Sequence, residues 1–242
     1  MASITMESSA SAVDGYVGRE GASEGWSSLI SSAGNNADYT DTRVIMKLTA
    51  YSALDQWSAV RRGVFMFDPV SLPTGAVILG GSLSLNPQNT PTDNFLSELV
   101  LTNAPVTSPT SLITADYALL HSSPEEYGTA RVAVSSISAN VRFEFTLNSA
   151  ALTAFQSLYD SGGVFKLGLM FDWDFESTSP VWVGGSAEDS ITITSVSGVA
   201  NHPILTIEYY VATDYATLEI VGQKASAGDT LTASFLTVEA YT

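Results

Sequence analysis

Residues 61–85 constrain this chain more than any other stretch: Arg-Arg-Gly-Val-Phe-Met-Phe-Asp-Pro-Val-Ser-Leu-Pro-Thr-Gly-Ala-Val-Ile-Leu-Gly-Gly-Ser-Leu-Ser-Leu. Two strand-like runs, 63–67 and 76–85, flank the compact turn Ser71-Leu72-Pro73-Thr74-Gly75. Proline presets φ for the first corner of such a turn, and glycine takes the left-handed corner without steric cost. Strands joined this tightly need a sheet to enter and a second layer to bury against. The segment therefore predicts a β-sandwich.

The rest of the chain agrees. Val44, Met46 and Leu48 fall on one face of a strand over 43–51, and Val141, Phe143, Phe145 and Leu147 on one face of a strand over 141–147. Further strands are predicted over 95–102, 131–134, 164–175, 181–183, 190–195 and 204–210. One helix stands out: Asn148 or Ser149 caps it, Leu152, Phe155, Leu158 and Tyr159 form its stripe, and Gly162-Gly163 ends it. Residues 113–120 fit a short helix or a strand. Residues 21–41 read as a long loop pinned by Trp26 and Ile30. Residues 1–12 read as an N-terminal arm or a first edge strand, 13–210 as the sandwich, and 211–242 as a C-terminal β-hairpin extension. The predicted class is all-β: an antiparallel jelly-roll β-sandwich with one short helix and an additional C-terminal hairpin.

Charge and cysteine content narrow the chemistry. Nine Lys and Arg against 25 Asp and Glu give a net charge of −16. A field of that sign repels phosphate backbones and anionic membrane surfaces, so neither nucleic acid nor membrane is an expected partner. The chain has no cysteine, which excludes a thiol nucleophile, a disulfide framework and a thiolate metal site. Its start, Met-Ala-Ser-Ile-Thr-Met-Glu, has neither the basic nor the apolar region of an export signal. The expectation is either cytoplasmic assembly or a chain whose leader has been removed.

Three segments resemble one family. Asp14-Gly15-Tyr16-Val17 is similar to the opening strand of the DNRLRE-type domain, a jelly roll akin to carbohydrate-binding modules. Phe65-Met66-Phe67-Asp68, then Leu72-Pro73-Thr74-Gly75-Ala76-Val77-Ile78 and Ser82-Leu83-Ser84-Leu85, resembles its central signature. The run His202-Pro203-Ile204-Leu205-Thr206-Ile207-Glu208-Tyr209 corresponds to its proline-led closing strand. The family's Ser-Arg/Glu stretch before that strand is replaced here by Gly185-Ser186-Ala187-Glu188-Asp189. The resemblance spans about 13–210 and implies a sandwich of the kind found in secreted bacterial modules and phage structural proteins. A fold of this kind carries no chemistry by itself.

Candidate sites are few. On a strand, Asp172, Asp174 and Glu176 would share one face, opposite Phe171, Trp173 and Phe175. Three such carboxylates offer oxygen ligands for calcium; the competing reading is the solvated face of a half-buried strand. Trp57, with Arg61 and Trp26, is the candidate glycan platform, against core or interface packing. Tyr209, Tyr210, Tyr215 and Tyr241 mark a candidate subunit interface. No catalytic set is identified: both histidines, His121 and His202, lack a recognisable motif around them. No cofactor is expected beyond a calcium ion.

These readings converge on a non-enzymatic virion protein, a bacteriophage capsid-decoration or fibre-type component. It is expected to form a homo-oligomer, such as a trimer, with other virion proteins as neighbours, after assembly in the host cytoplasm. The alternative is an extracellular carbohydrate-binding or adhesion module with a glycan as partner.

Overall fold

Two antiparallel sheets carry the computed structural model, which describes residues 2–7, 13–194 and 201–211. In chain order the elements are β1 (Ala2–Glu7), β2 (Gly15–Glu24), α1 (Trp26–Ser31), β3 (Asn36–Asp38), β4 (Arg43–Ala50), β5 (Trp57–Phe67), β6 (Ala76–Leu85), β7 (Thr92–Asp93), β8 (Glu98–Asn103), α2 (Asp116–Ser122), β9 (Val132–Ala133), β10 (Phe143–Thr146), α3 (Ser149–Ser161), β11 (Phe165–Phe171), α4 (Asp172–Phe175), β12 (Glu188–Thr194) and β13 (Ile204–Val211). The smaller sheet runs β1-β13-β6-β10. The larger runs β7-β12-β4-β5-β11-β8-β9, with β2 paired to β5 and β3 to β2. The described residues belong to one unit, 1–212; a second unit, 213–242, lies outside them, and with it the predicted C-terminal hairpin, Tyr215 and Tyr241.

The fold is the expected all-β antiparallel sandwich. Its hub is β5, whose residues 61–67 begin the 61–85 segment. Its first half pairs with β4 (Lys47↔Arg61 to Ala50↔Trp57), its second with β11 (Gly63↔Leu169 to Phe67↔Phe165), and β2 lies along most of its length. A strand enclosed on both faces needs no polar side, so Val64, Phe65, Met66 and Phe67 are all fully buried. Leu83, Phe145, Leu205 and Ile207 of the smaller sheet share one core with Phe65, Leu167 and Leu169 of the larger.

The turn after β5 holds as predicted at its glycine and shifts at its proline. Asp68 accepts from Val70 N at 3.0 Å and starts a 3₁₀ turn, Pro69–Ser71. Ala76 N then donates to Pro73 O at 3.1 Å, so Thr74 and Gly75 are the central corners. Gly75 has φ +79°, the left-handed region. Pro73 is the first residue of the turn rather than a corner, and its carbonyl also accepts from Tyr159 Oη of α3 at 2.5 Å.

α3 forms as its caps dictate. Asn148 Oδ1 accepts from Ala151 N at 3.0 Å, and Gly162, at φ 73°, closes the C-terminus. Phe155 meets Phe165 of β11 edge-on at 5.0 Å.

Several boundaries differ from expectation. Residues 21–41 contain α1 and β3 rather than continuous loop, although Trp26 and Ile30 do bury. Residues 116–122 settle as helix, and 181–183 are not a strand. Residues 2–7 form an edge strand, in register with β13 from Ala2↔Tyr209 to Glu7↔Ile204.

Candidate functional site

The most polar constellation in the interior begins with Arg62, in the middle of β5 and fully buried. Strand geometry sends neighbouring side chains to opposite faces. Arg61 therefore stays half-buried on Glu20, while Arg62 is driven inward, where a guanidinium survives only if its donors are satisfied. Each of its three nitrogens finds an acceptor. Nε donates to Asp174 Oδ2 at 2.7 Å and Nη2 to Asp174 Oδ1 at 2.8 Å. Nη2 also donates to Ile30 O at 2.8 Å, and Nη1 donates to Tyr117 O. The guanidinium lies 3.7 Å from the centroid of the Tyr117 ring, whose hydroxyl donates to Leu29 O at 3.0 Å. One side chain thus ties β5 to α1, α2 and α4.

Burial opposes the charge on Arg62, but the adjacent Asp174 carboxylate holds its pKa above the ordinary value. Burial pushes the Tyr117 phenol well above its ordinary value, so it stays protonated.

His121 and Ser177 extend the cluster outward. His121 Nδ1 lies 3.5 Å from Asp174 Oδ1, and its Nε2 lies 3.5 Å from Ser177 Oγ. The order serine–imidazole–carboxylate, with the appropriate nitrogen facing each partner, is that of a nucleophilic relay. The surroundings do not support the chemistry. Both Asp174 oxygens are engaged by Arg62, whose charge offsets the field that would stabilise an imidazolium. Burial, foremost, and then that cation hold the His121 pKa below its ordinary value despite Asp174. The Ser177 N–H, the donor such a relay turns on an oxyanion, donates instead to Asp174 O at 3.2 Å. The cluster is a structural tie.

A second buried carboxylate, Asp189 of β12, accepts from Phe95 N at 3.0 Å and from Asn94 N and Ser97 Oγ. It pins the loop between β7 and β8 to the sheet. Burial raises its pKa to about 6, against three hydrogen bonds that lower it.

The predicted calcium site does not assemble. The strand ends at Phe171, and residues 172–175 form one helical turn, so alternation no longer places Asp172, Asp174 and Glu176 together. Asp172 Oδ1 accepts from Glu98 N at 3.0 Å, Asp174 holds Arg62, and Glu176 pairs with Arg131 at 2.5 Å. No group of three or more His, Cys, Asp or Glu among the described residues is placed to hold a metal ion.

The predicted glycan platform is also overturned. Trp57 is 1% exposed and opens β5 rather than lying in a loop. It packs edge-on against Trp26 at 5.2 Å and Phe95 at 5.3 Å, and Trp26 is itself buried. Arg61 donates from Nε and Nη2 to Glu20 at 2.7 and 3.0 Å and lies 4.4 Å from the Tyr16 ring centroid. Of the tyrosines proposed for an interface, Tyr209 is half-buried against the core and Tyr210 is 44% exposed.

The Arg62–Asp174 tie escaped sequence reasoning. Its available signal was an arginine inside an otherwise apolar strand, which demands a buried partner. The partner lies 112 residues away.

No protein-family model matches the chain, and no curated protein matches it. Among solved structures it aligns with "Structure of infectious bursal disease virus Gx strain" at 10% identity and a TM-score of 0.19. The alignment covers 88% of this chain and 61% of that one, so the chain spans less than two thirds of the viral protein's length. At that TM-score the likeness carries no argument.

Proposed function

We propose that this chain is a non-enzymatic structural component of a virion, of capsid-decoration or fibre type, that assembles with copies of itself and with neighbouring virion proteins. The observation that carries the reading is how the polar chemistry is spent. Arg62, Asp116, Asp174 and Asp189, the charged groups buried deepest, all bond to the protein's own backbone and side chains. The side chains with the greatest catalytic potential serve as internal fasteners, so the work of the molecule falls to its surface and edges. The sandwich architecture, of a kind found in secreted bacterial modules and in phage structural proteins, is compatible with that role.

Burial of Trp26 and Trp57 removes the feature that favoured a glycan-binding module. Native mass spectrometry of the full chain from 1 to about 100 μM tests the proposal. Discrete homo-oligomers are expected; a monomer throughout that range, with no partner retained, overturns it.

A further inference from the structure

The free edges of the two sheets are not alike. β7 and β9 have two residues each, and β3 has three. β10 has four and is partly covered, since Thr129 N donates to Thr146 O at 2.9 Å and Gly128 bridges to Leu147. β1 has six residues, pairs with β13 without a register shift, and has no strand on its other side among the described residues. Proteins blunt exposed edges with lysine, proline, bulges or short length. Ala2-Ser-Ile-Thr-Met-Glu7 has no lysine, no proline and no bulge, and it is the longest of these edges.

We infer that β1 is the self-assembly edge: two copies pair β1 to β1, antiparallel about a two-fold axis, joining two four-stranded sheets into one. The inference rests on the assembly reading above and names its contact. With the axis at Thr5, Thr5 faces Thr5 of the second copy and Ile4 faces Met6, so side-chain parity is preserved. Ile4 and Met6, partly and fully buried in each copy, therefore stay on the inner face across the junction, and Ser3 and Thr5 stay on the outer face.

The outer face is suited to continuation. The register aligns Thr5 with Thr206, Thr206 with Ser82, and Ser82 with Thr146, a row of small hydroxyl side chains crossing all four strands. Charge points to the same edge. Two copies at −16 each repel over most of their surface, and β1 carries a single ionisable residue, Glu7, at its far end.

The absence of cysteine provides a clean test. Thr5 is exposed, so Thr5→Cys leaves the core intact. Residues directly opposite in an antiparallel pair lie about 4.5–5.5 Å apart at Cα, within disulfide reach. Under mild oxidation at about 50 μM, Thr5→Cys is expected to convert mostly to a disulfide dimer, while Ser157→Cys on the exposed face of α3 forms no disulfide-linked species. Thr5→Lys sets lysine against lysine at the two-fold axis and is expected to shift native mass spectra to monomer, with the far-UV circular dichroism spectrum unchanged. If the protein oligomerises but Thr5→Cys does not cross-link and Thr5→Lys keeps its oligomer, the β1 contact is wrong and the assembly reading stands. A wild-type monomer at 100 μM sinks both.

Discussion

Replacing Asp174 by leucine leaves the Arg62 guanidinium fully buried, still charged and with two of its four hydrogen bonds gone. The remaining bonds go to the neutral carbonyls of Ile30 and Tyr117, which cannot balance the charge. Breaking a buried ion pair from one side costs about 3–5 kcal/mol. For a chain of this size each kcal/mol lowers the melting temperature by about 2–4 °C, so the loss is on the order of 10 °C. In Arg62→Met with Asp174→Leu the uncompensated charge disappears. What remains unmet is chiefly the carbonyl of Ile30 and that of Tyr117, neutral groups at about 1 kcal/mol each, the low end of the range, so about 2 kcal/mol against about 4 for the single variant. The double variant should therefore be more stable than Asp174→Leu alone by about 2 kcal/mol. Urea unfolding followed by tryptophan fluorescence, over all four corners of the cycle, measures the coupling. Either of two results refutes the reasoning: Asp174→Leu within about 1 kcal/mol of wild type, or single-variant losses that simply add in the double.

Asp189 supplies a pH test. With a folded pKa of about 6 against about 3.9 for a free aspartate, the folded state holds the proton more tightly. Its contribution is full below pH 4 and is lost as pH rises through 6, by up to about 3 kcal/mol. In Asp189→Asn, Oδ1 still accepts from Asn94 and Phe95 and Nδ2 donates to Ser97 Oγ, so urea unfolding should show the variant gaining on wild type between pH 4 and 7; a variant that loses ground instead contradicts the assignment. Trp57→Ala should cost about 3–5 kcal/mol through lost packing on Trp26 and Phe95, read as a large drop in melting temperature. A near-neutral result would restore Trp57 to the surface.

The strands of the sandwich were legible because their alternation reports a one-sided burial. Val44, Met46 and Leu48 of β4 are fully buried, and the residues between them are half-buried. α3 was legible because Asn148 and Gly162 are local signals that act locally. What failed was wherever a distant partner decided a local conformation. Phe171-Asp172-Trp173-Asp174-Phe175 alternates cleanly on paper. Yet the chain turns helical at Asp172, where Asp172 reaches Glu98 N and Asp174 reaches Arg62. From the sequence Trp57 lies in a loop-like stretch next to Arg61 and Arg62, but β5 begins at Trp57 itself, and Trp26 and Phe95 cover it from α1 and from the segment before β8. No periodicity within a ten-residue window contains those contacts.

Arg61 and Arg62 show how one dipeptide directs the two sides of a strand. Arg61 closes on Glu20 over Tyr16, joining β5 to β2 at a half-buried site where an ion pair contributes little. Arg62 closes on Asp174 where the desolvation cost is high and the net gain over a hydrophobic pair is small or negative. Stability alone therefore does not account for Arg62. Its geometry does: a planar fork that must reach Asp174, Ile30 and Tyr117 at once admits one placement of α1, α2 and α4 on β5. Apolar contacts, which lack direction, would tolerate several. Fixing those helices keeps the buried face of β5 covered.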